Sequence, residues 1–203
     1  MTQTWKTIVD ADPGHSRRYA KRWDDMVAEG VDIDGEARLI DAMAPRGARI
    51  LDAGCGQGRT GAYLHERGHR VTGVDLDPHL VERARELCPD ASWEVADLAG
   101  EGWAAGPFDL AVSAGNVLAF VDPADRGIVL ANLAGRLVSA SDDVEGRDGR
   151  LVVGFGLDRG WSREEFDADA REAGLEVEQR WSTWDLRPFD DDSGFMVAVL
   201  VRR

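Results

Sequence analysis

Cysteine is nearly absent from this chain, with Cys55 and Cys88 the only two among 203 residues. Two thiols form neither a disulfide framework nor a metal-ligand cluster, so both read as reduced. Histidine is scarce too, at four, and there is no paired-carboxylate run at metal spacing. The acidic triplet at 190–192 sits in a loop as a solvated charge cluster, so no metal site is expected. No segment approaches the ~18–20 consecutive apolar residues of a membrane span, and MTQTWKTIVDADPGHSRRYA carries no apolar signal core. A cytoplasmic location, away from membranes, is therefore expected. Cations are also few: 24 lysines and arginines against 38 acidic residues leave a formal charge of −14. Such a surface repels a phosphate backbone, which argues against nucleic acid as a partner. The local exception, Arg17, Arg18, Lys21 and Arg22, has the spacing of a solvated helix face.

What is present is enough for a core, since 43% of residues are hydrophobic and the length suits one α/β unit. From residue 48 the pattern alternates. ARILDAG (48–54) is an apolar run into a glycine turn, TGAYLHERG (60–68) a helix closed by Gly68, and HRVTGVD (69–75) a β-branched strand ending on a carboxylate. Asp77 before Pro78 marks a helix start. SWEVADL (92–98) and FDLAVSAG (108–115) read as strands on either side of a loop with Trp103, Gly106 and Pro107; residues 124–138 have helical period, and 139–149 is a flexible polar loop. RLVVGFG (150–156) is apolar on both faces, as a central parallel strand should be. Ser162 and Glu165 form a capping box. The strands 175–185 and 195–203 are joined by nine residues, too few for a crossover, so they pair antiparallel.

Strand and helix thus alternate five times before a terminal hairpin. The expected fold is α/β: a single-domain, doubly wound, Rossmann-like sheet of seven strands. It is mostly parallel with a C-terminal antiparallel strand, has helices on both faces, and binds its ligand outside the carboxyl ends of the strands. Residues 1–47 are expected to form a helical cap segment and 48–203 the ligand-binding domain.

The turn ILDAGCGQGRTG holds two glycine patterns in different registers. From Gly56 it is GxGxxG, with Gly58 and Gly61, the fingerprint of a dinucleotide fold. That register puts Asp52 inside a central strand, where an unpartnered carboxylate costs several kcal/mol on a rough scale. From Asp52 it is DxGxGxG, with Gly54, Gly56 and Gly58 admitting a ligand to the backbone and Gly61 left as a packing glycine of the next helix. This second register suits S-adenosylmethionine, which has no pyrophosphate to cradle and tolerates carboxylates near its cationic groups. Asp75 ends the second strand where it can take ribose hydroxyls with either cofactor. Asp97 and Leu98 end the third strand, and Ala114, Gly115 and Asn116 the fourth; they set an acceptor, an apolar wall and a small-residue gap along one edge.

ILDAGCGQGRTGAYL, VTGVDLD, VADLA and FDLAVSAGNVLAF stand in the order of the class I S-adenosylmethionine-dependent methyltransferases of small-molecule type, which this chain resembles over 48–156. The closing hairpin resembles that family's reversed seventh strand. The resemblance implies that Gly54, Gly56 and Gly58, with Asp52, Cys55 and Arg59 in the same turn, lie at the methionine part of S-adenosylmethionine. It implies Asp75 on the ribose, Leu76 beside the adenine, Asp97 accepting from the adenine amino group with Leu98 packed nearby, and Ala114, Gly115 and Asn116 at the methyl-donating end. Arg59 replaces a smaller residue and faces cofactor, acceptor or water. Asn116 touches ligand or simply serves the turn.

The resemblance further implies an N-terminal segment folded over the cofactor, which would bring His15, Tyr19, Arg22 and Trp23 toward the methyl group. His15 is then the candidate base, although Tyr19 and Trp23 at i and i+4 equally form a packing stripe. His65, His69 and His79 are placed on the surface. The activity implied is methyl transfer to a small-molecule acceptor by in-line displacement, for which no obligatory catalytic side chain exists to search for. Two alternatives remain: a nicotinamide-dependent oxidoreductase, which predicts a parallel last strand, and a non-catalytic binder on the same scaffold.

Overall fold

The computed structural model describes residues 3–142 and 146–202; of the polar loop expected at 139–149, residues 143–145 fall outside the described part. Three helices come first: α1 (Trp5–Ala11), α2 (His15–Ala28) and α3 (Gly35–Met43). The sheet begins with β1 (Arg49–Ala53), α4 (Arg59–Glu66), β2 (Arg70–Asp75), α5 (Pro78–Leu87) and β3 (Ser92–Val95). It continues through β4 (Leu110–Ser113), α6 (Arg126–Ala134), β5 (Arg150–Gly156), α7 (Arg163–Glu172), β6 (Leu175–Trp181) and β7 (Phe195–Arg202).

The helix starts follow local chemistry. Asp77 Oδ1 accepts from the amides of His79 and Leu80 at 2.9 and 3.3 Å, with Pro78 opening α5. Ser162 and Glu165 close their reciprocal box at the head of α7. β3 is shorter than expected, because the Asp97 side chain takes the Ala99 amide at 2.9 Å and turns the chain away. Between β3 and β4 stands the expected loop, with no helix. Trp103 fills that place: it is 3% exposed, donates to the Gly100 carbonyl at 3.0 Å, and carries the Arg136 guanidinium 3.6 Å above its ring.

The seven strands run in the order β3-β2-β1-β4-β5-β7-β6. β1 to β5 are parallel neighbours, and β7 pairs antiparallel with both β5 and β6. The nicotinamide alternative called for a parallel last strand, and the sheet has the opposite. Alternation along the strands divides the core. Leu51, Val153 and Phe155 face Leu133, Trp161 and Phe166 of the α6–α7 layer, while Ile50, Val112 and Val152 face Ile40 and Leu64 of the α3–α4 layer.

A third, smaller cluster surrounds Trp93 beneath α5. Its indole occupies space that three glycines leave open: a Cβ built on Gly58, Gly61 or Gly73 would fall 2.9, 2.7 or 2.3 Å from the ring. Gly61 is therefore the packing glycine that the DxGxGxG register requires. Alanine normally stabilises a helix interior by about 1 kcal/mol relative to glycine. For Gly61→Ala the expected sign is reversed, a loss of about 1–3 kcal/mol in urea unfolding, because the methyl would also meet Asp52 Oδ2 and Val71 at 3.1 Å.

Candidate functional site

The carboxyl ends of β1 to β4 open into one cavity of about 250 Å³. β1 lies where the strand order reverses, which is where doubly wound sheets leave a crevice. The glycine turn is laid across the end of β2, with the amides of Gly54 and Cys55 donating to the Val74 carbonyl at 2.7 and 3.0 Å. Gly54 has φ +78°, and a Cβ there would strike Val117 at 2.3 Å, so the turn closes only without a side chain. Gly56, at φ +54°, presents its amide to Asp75 Oδ2 at 2.8 Å. The other oxygen of Asp75 accepts from the Asp77 amide at 2.9 Å. Burial pushes the Asp75 carboxyl up to about 6, against the pull of these two amides.

Of the residues expected at the ligand, Tyr19, Gly54, Gly56, Asp75, Leu76, Asp97, Leu98 and Gly115 line this cavity. The others lie elsewhere. Gly58 packs on Ala84 and Trp93, and the Cys55 thiol is buried in the same cluster, where desolvation raises its pKa. Ala114 is buried in the α3–α4 layer. Asn116 accepts the Gly156 amide on its side-chain oxygen at 2.8 Å and sits at φ +65°, so it joins the ends of β4 and β5. Arg22 is exposed and is not in the cavity lining, although its charge acts on Tyr19. His15 sets its ring edge-on to Trp5, with centroids 5.1 Å apart, and is not in the cavity lining.

Asp52 requires the largest revision. β1 runs through it to Ala53, in register with Gly73 and Val112, so the carboxyl lies beneath the turn and not at its mouth. It is 3% exposed, and its Oδ2 is buried without a hydrogen-bond partner. Burial pushes it up to about 7, although Arg59 and the Gly61 amide favour its charged form. A carboxylate does lie mid-strand here, so Asp52 does not exclude the Gly56 register; Gly61 inside α4 and the reversed β7 do. Nor is His69 on the surface: it is 2% exposed, with Nε2 3.0 Å from Asp41 Oδ1.

Arg59 faces neither the cavity nor water. Its guanidinium donates to Glu36 at 2.9 Å and to the Ile33 carbonyl, and lies 4.6 Å from the Trp23 ring. It thereby clasps α2 and α3 to the sheet. A second anchor is Asp77, whose Oδ2 accepts from Trp5 Nε1 at 2.9 Å and from Ser16 Oγ. Trp5 then meets Tyr19 and Phe120 edge-on, with centroids 5.2 and 6.0 Å apart, so α1 reaches across the cavity. Thr4, Trp5 and Lys6 complete that wall. No motif announced them, since their place depends on a partner 72 residues away. Asp77 was legible only as a helix cap.

The cavity lining holds four carboxylates, Asp75, Asp97, Asp122 and Asp125, against one lysine, Lys6. Such a wall attracts a cationic ligand. Its charge, the orphaned Asp52 oxygen behind the turn and the paired amides on Asp75 fit a ligand with a sulfonium, an ammonium and a ribose diol.

The family profile described as a methyltransferase domain matches residues 50–139. The crystal structure of a TehB-like SAM-dependent methyltransferase from Corynebacterium glutamicum is 50% identical and covers 95% of this chain and 100% of its own, with a TM-score of 0.87. Magnesium-protoporphyrin O-methyltransferase of Rhodobacter capsulatus is 37% identical over 147 residues, 68% of this chain and 61% of that enzyme. Ribosomal RNA small subunit methyltransferase C of Chromohalobacter salexigens is 36% identical over 80 residues, covering 37% of this chain and 22% of that one. The chain thus spans less than two thirds of the length of these curated relatives.

Proposed function

Since the chain belongs to the S-adenosylmethionine-dependent methyltransferases, we propose that its cavity binds S-adenosylmethionine and directs methyl transfer to a small-molecule acceptor. The observation that carries this reading is Asp75, held by the Gly56 and Asp77 amides at the end of β2 beside an open glycine turn. Both its oxygens keep lone pairs for the ribose hydroxyls. Leu76 and Leu98 flank the adenine, and Asp97, with Oδ1 engaged by Ala99, offers Oδ2 to the adenine amino group. Gly54, Gly56 and Gly115 leave room for the methionine part. When bound, the cofactor supplies an electrophilic methyl group that is displaced in line.

The chain's own part is to align the partners and exclude water. Trp5, Tyr19 and Phe120 do the latter from above. The Tyr19 phenol, raised by burial, stays protonated and is a donor. In this reading residues 1–47 serve as the cap and residues 48–203 as the cofactor domain, supported by the Arg59 and Asp77 anchors. A small acceptor is favoured by the cavity of about 250 Å³ under that cap and by the net charge of −14. No helix among the described residues is long and apolar enough to cross a membrane.

Calorimetric titration with S-adenosylhomocysteine tests the reading: saturable binding is expected, and silence at millimolar ligand with the protein folded sinks it. Replacing Trp5 by alanine removes one hydrogen bond and three ring contacts. The expected result is S-adenosylhomocysteine release faster by roughly tenfold in stopped-flow, with the fold intact by circular dichroism.

A further inference from the structure

Part of the cavity wall is left once Asp75, Leu76, Asp97, Leu98 and the glycines are allotted to the cofactor, and that part is aromatic. It begins at the methionine end: Tyr19 Cε1 lies 3.9 Å from where a Cβ on Gly56 would stand, and Val117 closes on Gly54. Trp5 meets Tyr19 and Phe120 edge-on, so the three rings form one continuous surface beside Val117 and Val121. The Trp5 indole N–H is already spent on Asp77 at 2.9 Å. Trp5 and Phe120 therefore offer an acceptor no hydrogen-bond donor.

Two features of this wall limit what can be methylated against it. The first is charge. Asp122 and Asp125 follow Phe120 in the same loop and line the cavity with carboxylates that the cofactor does not use, and Lys6 is the one cation facing them. Aromatic rings beside carboxylates stabilise a cation and disfavour an anion. The second is the lack of a strong base. Among the described residues that line the cavity there is no histidine. His15 packs on Trp5 outside the lining, and the Tyr19 phenol stays protonated.

We propose that the acceptor is a flat, weakly basic nitrogen heterocycle, neutral when it enters and cationic once methylated; this rests on the cavity's being the S-adenosylmethionine site. The lone pair of the ring nitrogen forms the N–C bond as the C–S bond breaks and its electron pair passes to sulfur. Positive charge thus moves from sulfur to the acceptor, and no proton leaves. Nothing in the wall has to act as a base, and the charge that the wall stabilises is present before and after transfer. Other acceptors fit less well. A phenol or alcohol must lose a proton, for which the lining offers only carboxylates, weak bases at neutral pH. A carboxylate acceptor cancels the positive charge and meets the carboxylates of the wall. An alkylamine arrives protonated, and those carboxylates hold the proton on its lone pair.

The test uses the full chain saturated with S-adenosylhomocysteine and three flat probes of similar size: 1-methylquinolinium, quinoline and 2-naphthoate. Binding is followed through the indole N–H resonance of Trp5. That of Trp161, buried in the α6–α7 layer with its N–H on Asp169, should not move. Saturable shifts are expected with 1-methylquinolinium, at an affinity roughly tenfold above that of 2-naphthoate, with quinoline between. Asp122→Asn combined with Asp125→Asn, both at exposed positions, should weaken the cation roughly fivefold and leave quinoline within about twofold. The assignment is overturned by any of three results. One is the absence of saturable shifts up to about 10 mM 1-methylquinolinium while S-adenosylhomocysteine stays bound; another is 2-naphthoate binding as tightly as the cation. The third is undiminished cation binding in the double variant. If S-adenosylhomocysteine itself does not bind, the cofactor reading falls, and this inference with it.

Discussion

Asp75→Ala is expected to lose roughly two to three orders of magnitude in affinity for S-adenosylhomocysteine. Each hydrogen bond from a ribose hydroxyl to a buried carboxylate contributes about 1.5–3 kcal/mol, and two are at stake. The substitution also strands the Gly56 and Asp77 amides, whose contacts to Asp75 are 2.8 and 2.9 Å. Asp75→Asn keeps one acceptor and should fall between. Calorimetry on folded variants decides it, and a loss below about fivefold in the alanine variant removes Asp75 from the ribose site. A pH dependence accompanies this. The free carboxyl titrates at about 6, and the ionised form is the better acceptor for two hydroxyls. Affinity should therefore be flat above pH 6 and fall by up to about tenfold per unit below it.

The second large effect concerns stability and comes from Asp52. Its folded pKa of about 7 lies well above the ordinary aspartate value of 3.8. Between those two values the folded chain holds a proton that the unfolded chain has released, so stability declines as pH rises from about 4 to 7. Above pH 7 the fold carries a buried charge with one oxygen left without a hydrogen bond, at a cost on the order of a few kcal/mol. Asp52→Asn keeps the shape and removes the charge. It should unfold at a higher temperature than the parent at pH 8, with the gap closing as pH approaches 4. Coincident melting curves across that range would falsify the assignment. If the parent gains more than the variant from saturating S-adenosylhomocysteine at pH 8, the buried charge serves the ammonium group of the ligand.

Much of the framework was legible because it is written in local chemistry. The carboxylate ending β2, the Asp77–Pro78 cap, the Ser162–Glu165 box and the hairpin too tight for a crossover each depend on neighbours in the chain. The acidic series Asp75, Asp97 and the gap at Gly115 followed from strand ends alone. What escaped were side chains whose surroundings come from elsewhere. Gly58 looked like a ligand glycine, but it yields space to an indole 35 residues on. Arg59 is fixed by Glu36 and Trp23, and no periodicity records that pairing. Asp52 was judged by the cost of an unpartnered charge, whereas a partly neutral carboxyl satisfies the same position. Trp5 acquires its place through Asp77, Tyr19 and Phe120, all distant in sequence.

The position of β7 also bears on how the chain is made. Residues 195–202 do not extend the sheet at its margin; they are inserted between β5 and β6. Until this segment has emerged from the ribosome, β5 has a bare flank and β6 has no neighbour to pair with. Folding from the amino end can assemble β1 to β5, yet the apolar rows of Val152 and Val153 on β5 stay exposed to other nascent chains meanwhile. Truncation just before Phe195 would therefore leave two open edges instead of a shorter sheet. Aggregation, and not a modest drop in melting temperature, is the expected fate of such a product.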